Sequence, residues 1–103
     1  MCGICGYTGP RREGLLGAMT ASLAHRGPDG EGYFSIPGKV HLGHRRLAII
    51  DVESGQQPLF SEDGQVALIL NGEIYNHLDL RRELEGRGHI FSSRTDGEVI
   101  VHA

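Results

Sequence analysis

A chain of 103 residues holds at most one domain, and its 39% hydrophobic and 22% charged residues place it with globular rather than disordered proteins. A net charge of −3 without a basic face argues against binding to nucleic acid or to an anionic membrane. No run approaches the ~20 apolar residues of a transmembrane helix, no basic-then-apolar leader precedes Pro10-Arg11-Arg12, and two cysteines three apart make a poor disulfide framework, so the sequence reads as cytoplasmic with reduced thiols.

In chain order, Gly3–Tyr7 is a short apolar run ended by Gly9-Pro10, the pattern of a buried strand. Leu15, Leu16, Met19 and Leu23 repeat at helical spacing and predict a helix over Glu13–Leu23. Pro28-Asp29-Gly30 forms a turn, because Pro fixes φ, Asp bonds its own backbone and Gly accepts positive φ. Strands are expected at Gly32–Ile36 and Val40–Ile50, separated by a Pro37-Gly38 turn, with a loop over Glu53–Pro58. The apolar run Val66–Leu70 stops at Asn71-Gly72. A helix over Asn76–Glu85 follows, with Asn76 as N-cap and Leu80 and Leu84 on one face. His89–Ser92 reads as a further strand, and Thr95 or Asp96 as the cap of a helix starting at Glu98. That helix reaches Ala103 without a C-cap signal, so the sequence is expected to be a fragment.

Three groups carry the chemistry. Cys2 becomes the amino terminus if Met1 is removed. Its α-amino group, with an ordinary pKa of roughly 7.7–8.0, then serves as general base to its own thiol. Asn71 and Gly72, at a strand end, offer a side-chain amide and a backbone N–H, the donor pair of an oxyanion hole. Arg45 or Arg46 together with Asp96 offers a clamp for an amino-acid zwitterion, guanidinium to carboxylate and Asp to ammonium. Taken singly, each has a commoner reading: a small buried hydrophobe, a tight turn, solvated surface charges. Cys2, Cys5, His41 and His44 also have zinc-ligand types. However, residues three apart on a strand face opposite sides, which opposes a shared ion.

Together these stretches resemble the class II glutamine amidotransferase domain, an N-terminal-nucleophile hydrolase, and within it the glutamine-dependent asparagine synthetase branch. The resemblance rests on Met1-Cys2-Gly3-Ile4, His25-Arg26-Gly27-Pro28-Asp29-Gly30, Gly43-His44-Arg45-Arg46-Leu47-Ala48-Ile49-Ile50-Asp51, Gln56-Gln57-Pro58-Leu59, Asn71-Gly72-Glu73-Ile74-Tyr75-Asn76 and Thr95-Asp96-Gly97-Glu98-Val99-Ile100. It implies an α+β fold, the N-terminal portion of a four-layer αββα sandwich of mostly antiparallel sheets. It also implies that Cys2 attacks the glutamine side-chain amide, releasing ammonia through a γ-glutamyl thioester. Asn71 and Gly72 then form the oxyanion pair and Arg46 holds the glutamine carboxylate. Leu47, Ala48, Ile49 and Ile50 line the glutamine site, and Glu73 and Asp96 lie near the substrate ammonium. The His25–Gly30 turn shapes the pocket wall, and Cys5 is packing.

The implied partners are L-glutamine, a synthetase domain that amidates aspartate, and in a possible homodimer a second copy; neither nucleic acid nor membrane is among them. The glutaminase half needs no cofactor or metal, whereas ATP and Mg belong to the synthetase domain, absent from this sequence. As the first half of such a domain, residues 1–103 are expected to be poorly stable and inactive alone. The alternatives are a catalytically silent module of the same fold and a small zinc-stabilised domain.

Overall fold

The fold is described from a computed structural model over residues 2–47 and 56–103. In chain order it contains β1 (Gly3–Thr8), α1 (Leu15–Ala21), β2 (Gly30–Ile36), β3 (Val40–Arg46), β4 (Leu59–Phe60), β5 (Ala67–Leu68), α2 (His77–Gly86) and α3 (Glu98–His102). Two antiparallel sheets result among the described residues, one ordered β1-β3-β2 and one pairing β4 with β5. The Pro37-Gly38 turn joins β2 to β3, closed by the Lys39 N–H donating to the Ile36 carbonyl at 2.9 Å.

Strand pleating decides what each face of the larger sheet meets. Cys5, Gly43 and Tyr33 lie opposite one another and share one face, and Ile4, His44 and Gly32 share the other. Helix α1 covers the first face: Thr20 is fully buried and its hydroxyl lies 3.3 Å from Cys5 Sγ. Position 43 admits no side chain there, since a Cβ would sit 2.2 Å from that hydroxyl. The other face receives the chain around β4. A Cβ at Gly32 would fall 1.7 Å from the Gln57 carbonyl oxygen, and the Phe34 and Phe60 rings meet at 5.7 Å. Helix α3 packs on β4 and β5, and α2 on α3. The layers therefore run helix, sheet, sheet, helices, a mixed α+β arrangement in the expected αββα order. Leu59, Val99 and Val101, on β4 and α3, are the buried apolar side chains among the described residues.

Several expected elements differ. Helix α1 starts at Leu15 rather than Glu13, because Gly14 is left-handed (φ 74°) and interrupts any upstream turn. It ends at Ala21, where bonds such as Leu23 N–H to the Thr20 carbonyl tighten the chain into three-residue turns. Strand β3 stops at Arg46; positions 48–50 of the longer expected strand lie outside the described residues. The run Val66–Leu70 yields only the two-residue β5. No strand forms at His89–Ser92, because the Ser92 and Ser93 N–H groups donate to the Glu98 carboxylate at 2.9 and 2.8 Å instead of to a neighbouring strand. Asn76 does open α2, but with its carbonyl, which accepts from Leu80 N–H at 3.2 Å; its side chain makes no cap bond. Gly97 stands at the cap position of α3, with no side-chain cap bond from Thr95 or Asp96.

Candidate active site

Cys2 immediately precedes β1. The Leu47 N–H donates to its Sγ at 3.3 Å, and the Arg26 Nε donates to its carbonyl at 3.2 Å. The neighbouring arginines diverge, as adjacent strand residues must. Arg46 shares the parity of His44 and points toward the second sheet; it is 7% exposed. Arg45 turns to the opposite face, where Nε donates to the Gly27 carbonyl at 2.9 Å and Nη1 pairs with Glu31 at 3.0 Å. The Asp29 N–H closes on the Arg46 carbonyl at 2.9 Å. The Arg26–Asp29 turn is thus bonded to Cys2, Arg45 and Arg46. A small cleft beside Arg46 is lined by Gly30, Glu31, His44, Gln56 and Gln57.

The segment carrying Asn71 and Gly72 is held at both ends. Upstream, the Leu70 N–H donates to Gln57 Oε1 at 2.5 Å, while its carbonyl accepts from Gln57 Nε2 at 3.1 Å and faces His44 Nε2 at 3.2 Å. Downstream, the Ile74 N–H donates to Asp96 Oδ2 at 2.6 Å. Asn71, Gly72 and Glu73 lie exposed between these points, whereas Asp96 is buried. Burial holds the His44 imidazole below its usual 6.5. The Leu70 carbonyl pulls the other way, and the Arg46 charge adds to the lowering. The carbonyl can only accept, so the neutral ring carries its proton on Nε2; Nδ1 is buried without a hydrogen-bond partner.

Of the residues singled out in the sequence, Cys2, Arg46 and Leu47 meet at the ends of β1 and β3. Leu70 ties Asn71 and Gly72 to His44, two residues from Arg46 along the same strand face. Asp96 reaches the same segment from the far side through its bond to Ile74. Glu73 is exposed, and Ala48, Ile49 and Ile50 lie outside the described residues. Gln57, His44 and Arg26 each bond a backbone group distant in sequence; the sequence alone places Arg26 in the His25–Gly30 turn and His44 among zinc-ligand types, and points to neither bond. The only signal for Gln57 was its place in Gln56-Gln57-Pro58-Leu59.

The zinc arrangement is not formed. Cys5 Sγ lies against Thr20 and His41 bonds Ser35 and the Gly9 carbonyl, while Cys2 and His44 face elsewhere. A second group, Glu62 with His89 and His102, has N–O separations of 2.9 and 2.6 Å. Ligand atoms around a tetrahedral ion with bonds of 2.0–2.1 Å stand about 3.3 Å apart. The group is therefore closed on itself by short nitrogen–oxygen contacts, continued by His102 Nε2 to Glu98 at 2.9 Å.

Comparison with known proteins shows the family. Residues 1–103 match the family described as glutamine amidotransferase domain. Asparagine synthetase [glutamine-hydrolyzing] 1 of Bacillus subtilis (strain 168) is 44% identical over 108 residues, covering 98% of this chain and 17% of the relative. The Arabidopsis thaliana protein of the same name is 44% identical over 108 residues, covering 99% of the chain and 18% of the relative. A probable asparagine synthetase [glutamine-hydrolyzing] of Schizosaccharomyces pombe is 50% identical over 84 residues, covering 82% and 15%. The chain thus spans less than a fifth of the length of these curated relatives.

Proposed function

The chain belongs to the family of glutamine amidotransferase domains, and from that premise we propose that it hydrolyses the side-chain amide of L-glutamine at Cys2. The observation that carries this reading is the placement of Cys2: its thiol receives the Leu47 N–H at the end of the strand that bears Arg46. With Met1 removed, the Cys2 α-amino group takes the thiol proton, and Sγ bonds to the amide carbon. The Asn71 amide and Gly72 N–H stabilise the tetrahedral oxyanion; loss of one such donor costs about 2.7–4 kcal/mol. The C–N bond then breaks, the proton passes to the departing nitrogen and ammonia leaves. A γ-glutamyl thioester remains, which water hydrolyses to glutamate and free thiol. Arg46 takes the substrate carboxylate, with Glu73 and Asp96 beside the ammonium and Leu47–Ile50 lining the site.

The relatives are named glutamine-hydrolysing asparagine synthetases, which supports asparagine formation as the use of the ammonia; we propose that this is an ATP-dependent amidation of aspartate in a synthetase partner. ATP and Mg belong to that partner, and no step in this chain runs through either. Among the described residues no helix is long and apolar enough to cross a membrane. In the full natural protein, Cys2→Ala should abolish ammonia release from glutamine while asparagine formation from free ammonia persists. A diazoketone analogue of glutamine should label Cys2 alone, read by peptide mass. Glutamine hydrolysis that survives Cys2→Ala overturns the reading.

A further inference from the structure

The residues that aim the oxyanion donors are not the donors themselves. We propose that Gln57 and His44 are positioning residues for glutamine hydrolysis, locking the Leu70 peptide groups and thereby directing Asn71 and Gly72 toward the reacting carbonyl. This rests on the functional reading above. Gln57 pairs with Leu70 as a neighbouring strand would, taking its N–H at 2.5 Å and giving an N–H to its carbonyl at 3.1 Å. His44 brings a second donor to the same carbonyl at 3.2 Å, filling both lone pairs. That carbonyl belongs to the planar peptide group whose nitrogen is Asn71's, so both donors fix the plane from which the Asn71 side chain and the Gly72 amide depart.

Three exposed residues then span to the next fixed point, the Ile74 N–H on Asp96. Strand β5 has already ended at Leu68, so these side chains stand in for the missing sheet partner at the place where aim matters. The clamp is itself anchored, because the Gln57 carbonyl lies over Gly32 in space that a Cβ would occupy. Displacement of about 1 Å at such a site can cost 10²-fold in rate. Glutamine also offers what glutamate lacks at position 57: a carboxylate accepts the Leu70 N–H but sets negative charge against the Leu70 carbonyl.

The test uses Gln57→Glu and Gln57→Ala in the full natural protein. Both should lower kcat for glutamine hydrolysis by about 10–100-fold with KM within about threefold, because oxyanion donors act in the transition state. Inhibition by the γ-aldehyde of glutamate, which adds Cys2 to form a tetrahedral hemithioacetal, should weaken by the same factor, while product glutamate binds as before. Amide exchange should rise at Leu70–Gly72 and stay unchanged in α2, a readout that needs no turnover. His44→Gln, which keeps a terminal N–H donor, should retain most activity where His44→Leu does not. Unchanged kcat and aldehyde affinity, a KM rise at constant kcat, or unchanged exchange in the Gln57 variants overturns the proposal. Hydrolysis surviving in Cys2→Ala instead overturns the functional reading, and the exchange result still reports on the clamp alone.

Discussion

Arg45 and Arg46 are adjacent in sequence and chemically identical, and the pleat gives them different work. Arg46 faces the second sheet, buried, two residues from His44; Arg45 binds Gly27 and Glu31 on the other side. Arg46→Ala should lower kcat/KM for glutamine by an amount equivalent to about 2–5 kcal/mol, the usual cost of leaving a desolvated charge without its partner. Arg46→Lys should recover little, since an ammonium cannot form the two-pronged contact. Arg45→Ala should instead lower stability by about 1 kcal/mol through its lost bond to Gly27, with an effect on kcat/KM at least tenfold smaller than that of Arg46→Ala. Parallel denaturant melts and glutamine kinetics separate the two, and equal kinetic damage would show the register to be wrong. That the two arginines face opposite sides was legible in the sequence, because strand alternation is a local rule; which of them serves the site came only with the family resemblance. The roles of Gln57 and Arg26 were not: their partners are backbone atoms of Leu70 and Cys2, thirteen and twenty-four positions away, and backbone groups leave no mark in a residue pattern.

At the scale of elements, the short helix α3 organises the segment before it through one carboxylate. Glu98, 1% exposed, accepts from the Ser92 and Ser93 N–H groups, the Ser93 hydroxyl and His102. Burial works to raise its pKa, yet the bonds from Ser93, His102 and the Ser92 and Ser93 amides prevail and hold it below 4.5. A carboxylate with a lowered folded pKa stabilises fully above its unfolded value, and that stability is lost as pH falls through the folded pKa. His44 acts earlier: its lowered pKa leaves it neutral when folded, so stability begins to fall as pH drops below 6.5 and the unfolded chain takes up the proton. Acid melts of the full protein should therefore lose stability in two stages, one starting near 6.5 and one below 4.5. Glu98→Gln should blunt the second and lower stability at neutral pH by about 1–3 kcal/mol, as buried donors lose their acceptor; an unchanged lower stage would refute this assignment. The same carboxylate explains the missing strand at His89–Ser92. The apolar residues there have strand character, but Phe91 packs against the Arg81 guanidinium at 4.6 Å and the His102 ring at 4.3 Å, and the backbone donors that follow are already used. Helix α2, whose pattern is local and periodic, was read to within one residue.

At the scale of the molecule, the layer order follows from which faces are apolar, but how much of each face is covered depends on contacts between segments far apart in sequence. The chain exposes 6420 Å², against about 5,700 Å² for a compact monomer of 11.2 kDa. Its radius of gyration is 14.2 Å, where about 12.8 Å is usual at this length. The exposed surface is in part apolar, and some of it lies on or beside strands. Ile4 on β1, Tyr33 and Ile36 on β2, Phe60 on β4 and Val66 just before β5 are each 43–48% exposed. Strands β1 and β2 are edges of the larger sheet among the described residues, and each presents unpaired backbone groups beside these side chains. Open edges flanked by apolar side chains recruit further chains, because both backbone pairing and apolar burial are then gained in one contact. Residues 1–103 produced alone should accordingly self-associate as concentration rises, bind a hydrophobic dye and hydrolyse glutamine far more slowly than the full natural protein. Light scattering coupled to size exclusion reads the first outcome directly. Ile4→Lys and Ile36→Lys, which place charges beside the two edges, should shift the isolated chain toward monomer. A single monomeric peak over a hundredfold concentration range, with cooperative unfolding, no dye binding and full turnover, would show that the two sheets are closed by this chain's own contacts.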